Sequence, residues 1–272
     1  MKVKPIVLKL GGSVITVKEK PFTPNEGAIR RLAKEIKKAE VKSLILIHGG
    51  GSFGHPLAKE YRIKEGYVDS SQIVGFSKTR QAMASLNKMV LDALIQEGVP
   101  AVAIQPSAFV VTNNGRIQHI EMETILGLLK LGVVPVLYGD AVLDSALGFT
   151  ILSGDQLTSK IALELGAEKI VVGVDVDGLY TANPKIDSSA HLIQCITLEE
   201  LKRLQNKIGK AEVTDVTGGM LGKVLELIPA VAHGIRAIIV NASKPNNVYK
   251  ALKGEEVTGT IIEASETVAK PN

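Results

Sequence analysis

The sequence contains very little cysteine and few aromatic residues. Of its 272 residues one is cysteine, none is tryptophan, and the aromatic residues together make up 4%. The single cysteine, Cys195, excludes an intrachain disulfide and a cysteine-rich zinc site, and it favours a reducing compartment. The shortage of aromatic side chains leaves a poor stacking platform for single-stranded nucleic acid. These absences argue against a disulfide-stabilised scaffold and against a nucleic-acid-binding protein.

Long hydrophobic runs and a strong charge imbalance are also absent. No stretch approaches the roughly 20 apolar residues of a membrane-spanning helix, and Lys9 interrupts the apolar N-terminal segment that begins like a signal peptide. The net charge is +4, a mild positive balance that suits anionic small substrates. The five histidines show no metal-ligand spacing, so no protein metal site is predicted. We expect a cytoplasmic protein with no membrane or nucleic-acid partner.

The pattern of hydrophobic residues predicts an α/β protein. Short β-branched runs alternate with longer helical patterns, as in proteins with a mainly parallel sheet. Runs that are apolar on both faces predict buried strands at 5–10, 43–47, 101–104, 133–137, 169–174 and 237–240. Helical spacing predicts helices at 24–39, 70–96 and 155–165, and turn residues predict hairpins at 113–115 and 144–148. Without a repeat or a linker, we expect one compact body of two lobes that divide near residue 150.

Glycine is in excess and clusters where the predicted strands end. The chain has 26 glycines, about a tenth of its residues, against a usual share near 7%. They gather at Gly11–Gly12, at Gly49–Gly54 and at Gly218–Gly222. Such loops direct backbone N–H groups at phosphate oxygens, and the nearby Lys9 and Lys223 add positive charge. One loop of this kind could be only a tight turn, but three of them, two with a lysine, predict a phosphate site.

Two familiar phosphate-binding motifs do not account for these glycine clusters. The P-loop pattern is absent because Val224 follows Lys223 where serine or threonine would stand. The pattern G-x-G-x-x-G does occur over residues 49–54, which keeps a dinucleotide-binding dehydrogenase as a second hypothesis. The acidic partner of that motif would have to be Asp69, which lies in a polar loop with no strand before it. An ATP-dependent phosphoryl transfer therefore fits better, because lysine point charges suit the spread charge of that reaction.

Three polar residues near the predicted strand ends allow two interpretations each. Asp155 could cap the helix that it begins, or it could hold a catalytic lysine in place. His55 could be an exposed residue at a helix start, or it could donate a hydrogen bond to a phosphate. The glycine loop immediately before His55 favours the second interpretation. His48, at the end of an apolar strand, is more typical of a satisfied core histidine.

Taken in order, these motifs resemble the amino acid kinase superfamily over nearly the whole chain. The resemblance rests on KLGGS at 9–13, GGGSFGH at 49–55, SGD at 153–155, VDVDGLY at 174–180 and TGGMLGK at 217–223. The 49–55 loop, SVIT at 13–16 followed by Lys18, and DVTGG at 215–219 are similar to the isopentenyl phosphate kinases within it. The fosfomycin kinases share the histidine at 55, and Val17 stands where relatives often have aspartate.

The resemblance implies a fold, a reaction and partners. The fold is a three-layer αβα sandwich with a mainly parallel central sheet. Residues 1–150 would form the lobe for acceptor binding and dimerisation, 151–264 the ATP lobe, and 265–272 a flexible tail. The reaction is ATP-dependent phosphorylation of isopentenyl phosphate to isopentenyl diphosphate in an alternative mevalonate route, with Mg²⁺ accompanying ATP, by a homodimer. A kinase for fosfomycin or an amino acid, and a non-catalytic nucleotide sensor, are the alternatives.

The resemblance also implies roles for single residues. Lys9 would bind the transferring phosphoryl group, Asp155 would orient Lys9, and Lys18 and Lys223 would assist catalysis. Nucleotide contacts are implied for Lys9, Leu10, Gly11, Gly12, Ser13, Gly50, Asp175, Tyr180, Gly219 and Lys223, with Gly11, Gly12 and Gly50 donating N–H groups to phosphates. Acceptor contacts are implied for Gly49, Gly54, His55 and Gly154, with His55 holding the acceptor phosphate. Phe76 and Met83 of the long helix are a candidate wall for the alkyl tail.

Overall fold

The computed structural model describes residues 4–182, 184, 187–208 and 220–265. The strands in these ranges are β1 (Ile6–Leu10), β2 (Leu44–His48), β3 (Ala101–Ala103), β4 (Val110–Asn113), β5 (Arg116–Ile120), β6 (Val134–Tyr138), β7 (Asp140–Asp144), β8 (Gly148–Leu152), β9 (Lys169–Val174), β10 (Cys195–Thr197), β11 (Arg236–Asn241) and β12 (Gly259–Glu263). The α-helices are α1 (Gly12–Ile15), α2 (Glu26–Ala39), α3 (Gly51–Glu60), α4 (Ser71–Gln96), α5 (Glu123–Lys130), α6 (Gly154–Leu165), α7 (Leu198–Ile208), α8 (Met220–Ala232) and α9 (Asn247–Lys253). Within the described ranges, no helix is both long and apolar enough to cross a bilayer.

The central sheet has eight strands in the order β10-β12-β11-β9-β1-β2-β6-β3. The six strands from β11 to β3 in this order pair in parallel, whereas β12 runs antiparallel to β11 and β10 pairs in parallel with β12. Those six parallel strands are the six that the sequence predicts, within two residues at each end. Because β1 pairs with both β2 and β9, one continuous sheet connects the two halves of the chain.

Alternate residues of β1 face two different helix layers. Ile6, Leu8 and Leu10 pack in one core with α2, α4 and α9, whereas Val7 packs in a second core with α6 and α8. A sheet that buries apolar side chains on both faces needs a helix layer on each. The predicted three-layer αβα sandwich is therefore confirmed. Lys9 shares the face of Val7, which directs its side chain toward α6.

A smaller sheet, in the order β5-β4-β7-β8, lies beyond the main one. Both predicted hairpin turns are confirmed, and Asn114 and Gly115 take the positive φ angles of 46° and 76° that the first turn needs. The Asp144 carboxylate accepts hydrogen bonds from the Thr112 hydroxyl and from the backbone N–H groups of residues 114, 115, 146 and 147. One buried aspartate thus ties the two hairpins together.

Candidate active site

The carboxyl ends of β1, β2, β6 and β9 open into one cleft of about 500 Å³. This is the edge at which open α/β sheets place their ligands. Helices α6 and α8 contribute further residues. Most of the predicted site residues line the cleft, namely Lys9, Gly11, Gly12, Ser13, Lys18, Gly49, Gly50, Gly54, His55, Gly154, Asp155, Asp175 and Lys223.

The first two glycine loops are packed backbone against backbone. A Cβ added to Gly12 would lie 2.2 Å from the Gly51 nitrogen, and one added to Gly49 would lie 2.7 Å from the Gly12 nitrogen. The Thr16 hydroxyl joins the loops, since it donates to the Gly12 carbonyl (2.7 Å) and accepts from the Ser52 N–H (3.0 Å). Side chains larger than hydrogen would push the loops apart, so glycine is required at this contact.

The Lys9 ammonium forms an ion pair with Asp155, with 2.8 Å between Nζ and Oδ1. Lys9 is 3% exposed, so its charge needs a partner at this position. The two interpretations of Asp155 are now resolved, because Ser153 caps α6 by accepting the Gln156 N–H (3.1 Å). The Asp155 carboxylate is therefore free to hold Lys9 at the end of β1.

His55 lies on α3 with its side chain open to the cleft. Desolvation by the cleft walls lowers the pKa of His55 from its usual value, and the positive charges of Lys223 and Lys9 lower it further. The ring is therefore neutral at pH 7 in the ligand-free protein. A bound phosphate would offset both lysine charges and favour the protonated ring.

Three of the residues predicted to contact the nucleotide have other partners in the structure. The Gly11 N–H already donates to the Gly173 carbonyl (2.8 Å), so of the three expected donors only Gly12 and Gly50 keep an N–H for a ligand. Leu10 is buried in the core, and its carbonyl instead accepts the Gly49 N–H (2.9 Å). Tyr180 is not among the residues that line the cleft, and it forms a β-bridge with Leu192. The pattern of apolar residues in the sequence does not show which groups bond to the backbone of Gly11 and Leu10.

Gly219, the remaining predicted contact, lies outside the described residues, as do the DVTGG motif at 215–219 and most of the predicted tail at 265–272.

The predicted alkyl wall is half correct. Met83 lines the cleft together with Thr79, Ile151 and Leu152. Phe76 does not; its ring stacks on Phe149 with 5.2 Å between centroids and packs behind Ile151. The spacing of the helix could not show that the Phe76 ring would stack on Phe149 instead of lining the cleft.

The sequence interpretation missed one charged residue of the cleft. Asp140, the first residue of β7, is 2% exposed and accepts the N–H groups of Ser107 (3.1 Å) and Ala141 (2.9 Å). Burial raises the pKa of its carboxyl above the usual value. A single aspartate after a glycine gives no sequence signal beyond a turn.

Known proteins resemble this chain over nearly its whole length. The model of the amino acid kinase family matches residues 4–241, and the chain belongs to that family. It is 46% identical to the isopentenyl phosphate kinase of Methanothermobacter thermautotrophicus over 94% of this chain and 98% of that protein. It is 38% identical to the isopentenyl phosphate kinase of Methanocaldococcus jannaschii, over 96% and 99%. An isopentenyl phosphate kinase crystal structure superimposes with a TM-score of 0.83 at 42% identity, covering 95% of this chain and 100% of that one. Within the amino acid kinase family, the chain groups with the isopentenyl phosphate kinases.

Proposed function

We propose that this protein transfers the γ-phosphoryl group of ATP to isopentenyl phosphate and releases isopentenyl diphosphate and ADP. The observation that carries the proposal is the convergence of Lys9, Lys18, Lys223 and His55 on one glycine-lined cleft. The isopentenyl phosphate kinases of two archaea match nearly the full chain. In this reaction an oxygen of the acceptor phosphate forms a bond to the γ-phosphorus, and the bond from that phosphorus to the β,γ-bridging oxygen breaks.

A phosphate acceptor explains why three lysines line the cleft beside His55. A phosphomonoester has a second pKa near 6, so it is already anionic at neutral pH and needs no deprotonation before attack. It needs neutralisation of its charge and a fixed orientation toward the γ-phosphorus. His55 donates a hydrogen bond to the acceptor phosphate, and Lys9 and Lys223 offset the charge of the two reacting phosphates.

Lys9 acts at the transferring group because Asp155 and the end of β1 hold its ammonium still. A preoriented charge in a partly desolvated cleft stabilises developing charge without a reorganisation cost. The free N–H groups of Gly12 and Gly50 donate to phosphate oxygens from the two packed loops. Lys18, which is exposed on the segment after α1, contributes a further cation.

Mg²⁺ accompanies ATP in this proposal. Within the described residues no three acidic, histidine or cysteine side chains group as a metal site, which suits an ion that keeps several waters and binds mainly through phosphates. Asp175, exposed in the cleft, is the carboxylate that we assign to it. When bound, Mg²⁺ neutralises phosphate charge.

The apolar part of the cleft suits a short alkyl tail. Met83, Ile151 and Leu152 provide an apolar wall in the cleft that also contains His55. An amino acid acceptor would leave its ammonium group against this wall without a partner. The lobe assignment, with the acceptor in 1–150 and ATP in 151–264, is part of the same proposal.

A homodimer in the cytoplasm completes the proposal. The β3 edge of the main sheet has no neighbouring strand among the described residues. Exposed apolar side chains lie on this strand, at the end of α4 and after α5, namely Val102, Ile95 and Leu131. An apolar surface at a sheet edge is typical of an interface between copies.

The test is ADP release with ATP and Mg²⁺ in the presence of isopentenyl phosphate, fosfomycin, UMP, glutamate or no acceptor. We expect turnover with isopentenyl phosphate alone. Turnover with fosfomycin or glutamate instead would move the chain to another acceptor class, and nucleotide binding without turnover on any acceptor would indicate a sensor.

A further inference from the structure

His48 is a fully buried histidine that the proposed mechanism does not use. It is the last residue of β2, with 0% of its surface exposed. Its ring stacks on Tyr138 at 5.5 Å between centroids. Nδ1 lies 3.0 Å from the Gly49 carbonyl oxygen, and Nε2 lies 3.1 Å from the Asn87 side-chain nitrogen. The ring therefore connects helix α4 to the second glycine loop.

These two partners determine where the ring carries its proton. A carbonyl oxygen only accepts hydrogen bonds, so Nδ1 must be protonated. The Asn87 amide nitrogen only donates, so Nε2 must be unprotonated. Burial lowers the pKa of His48 to about 4, partly opposed by the Gly49 hydrogen bond, so the ring is neutral at pH 7. Asn87 and Tyr138 are uncharged neighbours of the ring, in agreement with a neutral Nδ1–H form.

The hydrogen bond to Gly49 has a consequence for the next residue. In a trans peptide the C=O of one residue and the N–H of the next point in opposite directions. The Gly49 carbonyl points to the buried His48 ring, so the Gly50 N–H points away from it. Gly50 lines the cleft, and within the described part of the chain its N–H donates to no protein acceptor. A peptide between two glycines has little intrinsic preference for one orientation. The His48 hydrogen bond therefore acts together with the contacts that flank this peptide, the Gly49 N–H on the Leu10 carbonyl and the Gly50 carbonyl at the start of α3.

We propose that His48 is a positioning residue, which holds the Gly49–Gly50 peptide so that the Gly50 N–H faces the phosphates bound in the cleft. Asn87 keeps the ring in the form that can do so, by donating to Nε2. The proposal rests on the proposed function only for the identity of the bound phosphate. A histidine assigned to the core by its sequence context thus acts on the reaction through the backbone.

The first test needs neither substrate nor variant kinetics. Selective ¹⁵N labelling of the histidine rings reports which ring nitrogen carries the proton, and a His48→Asn protein assigns the His48 signals. We expect Nδ1–H with unprotonated Nε2 from pH 8 down to about pH 5. The Nε2–H form at pH 7, which predominates in free histidine, would overturn the proposal.

The second test compares two replacements of His48. Asparagine places an amide nitrogen near the position of Nδ1, whereas leucine removes the donor at similar volume. We expect kcat to fall about 10- to 100-fold in His48→Leu and to stay within about threefold in His48→Asn. Outright removal of a positioned donor typically costs 10²–10³, and His48→Leu costs less because the Gly50 N–H is still present but is no longer held in place. KM for the acceptor should change less than about twofold in both. His233→Leu is the matched control, since that exposed ring also places Nδ1 near a carbonyl, that of Pro229 (2.8 Å), but lies just beyond the end of α8 and does not line the cleft.

A folded His48→Leu protein with wild-type kcat would also overturn the proposal. Should that variant not fold, Asn87→Ala leaves His48 in place and removes one of the two contacts that select its tautomer, the other being the Gly49 carbonyl. We expect a measurable share of the Nε2–H form and a severalfold lower kcat, and an unchanged tautomer would contradict the role of Asn87. All kinetic comparisons use whichever acceptor the wild type turns over. Failure of the proposed acceptor would thus leave these outcomes interpretable, and the tautomer measurement is independent of it.

Discussion

Asp155 holds the Lys9 ammonium at 2.8 Å across the interface between the end of β1 and the first turn of α6. Because Ser153 provides the cap of α6, the carboxylate is available for this pair. The parallel sheet places the lysine and the helix places the aspartate. The position of the Lys9 ammonium therefore depends on the packing of α6 against β1.

Replacing Asp155 should destabilise the protein more than replacing Lys9. Asp155→Leu leaves a buried ammonium without a partner and should lower the free energy of unfolding by about 3–5 kcal/mol. Lys9→Met leaves the carboxylate, which is 17% exposed, and should cost less. The double variant should regain most of the stability but none of the activity. Denaturant unfolding measures the stability of each variant, and ADP release measures its activity. A double variant no more stable than Asp155→Leu would contradict a desolvation penalty on Lys9.

His55 should make acceptor binding depend on pH. Its pKa lies below the usual value in the free protein and should rise when an anionic phosphate binds. Binding then takes up a proton, and affinity should increase as the pH falls from 8 toward 7, before the phosphate itself becomes protonated. Calorimetry in buffers of different ionisation enthalpy measures the uptake. His55→Ala should remove the contribution of the ring and lower kcat/KM for isopentenyl phosphate about 100-fold; full turnover in that variant would exclude the assigned role.

Met83 and Phe76 should differ in their effect on acceptor length. Met83 lines the cleft, so Met83→Ala should open space and raise the relative kcat/KM for a ten-carbon prenyl phosphate about tenfold. Phe76→Ala removes a ring that stacks on Phe149 behind the wall, so it should lower stability by about 3 kcal/mol with little change in preference. The paired measurement is chain-length preference and denaturant midpoint for each variant. Equal shifts in preference would mean that the wall is misassigned.

Asp144 should stabilise the fold in a pH-dependent way. Burial opposes its ionisation, but hydrogen bonds from Gly115, Leu147, Thr112 and Ala146 outweigh that effect and lower its pKa to about 2. The unfolded chain therefore binds this proton at higher pH than the folded one. The contribution is complete above about pH 5 and is lost as the pH falls from 4 to 2. Asp144→Asn should cost about 2–3 kcal/mol at pH 7 and much less near pH 2; an equal cost at both pH values would contradict this interpretation.

Much of the fold could be predicted because the six parallel strands are buried on both faces and read as unbroken apolar runs. The strand β10 is at the edge of the sheet and β12 lies next to it, and their partly exposed residues, such as Cys195, give no such run. Helix α3 was missed because it begins in the glycine loop and contains Pro56, both of which lower helix propensity.

Candidate site residues could be predicted only from their residue type and their position in the loops. Lys9, His55 and Lys223 were predicted because charged or polar side chains beside glycine-rich loops favour a phosphate site, and the structure places all three in one cleft. The hydrogen-bond partner of Gly11 and the orientation of the Gly49 carbonyl depend on Gly173 and His48, which only the folded sheet brings into contact. Such backbone relationships leave no pattern in a single sequence.

The most direct measurement is ³¹P NMR of the reaction of ATP, Mg²⁺ and isopentenyl phosphate with the purified protein. The proposed function predicts that the monophosphate signal is replaced by the two coupled signals of a diphosphate ester, in equal amount with ADP. Unchanged isopentenyl phosphate, with or without inorganic phosphate released from ATP, would contradict it.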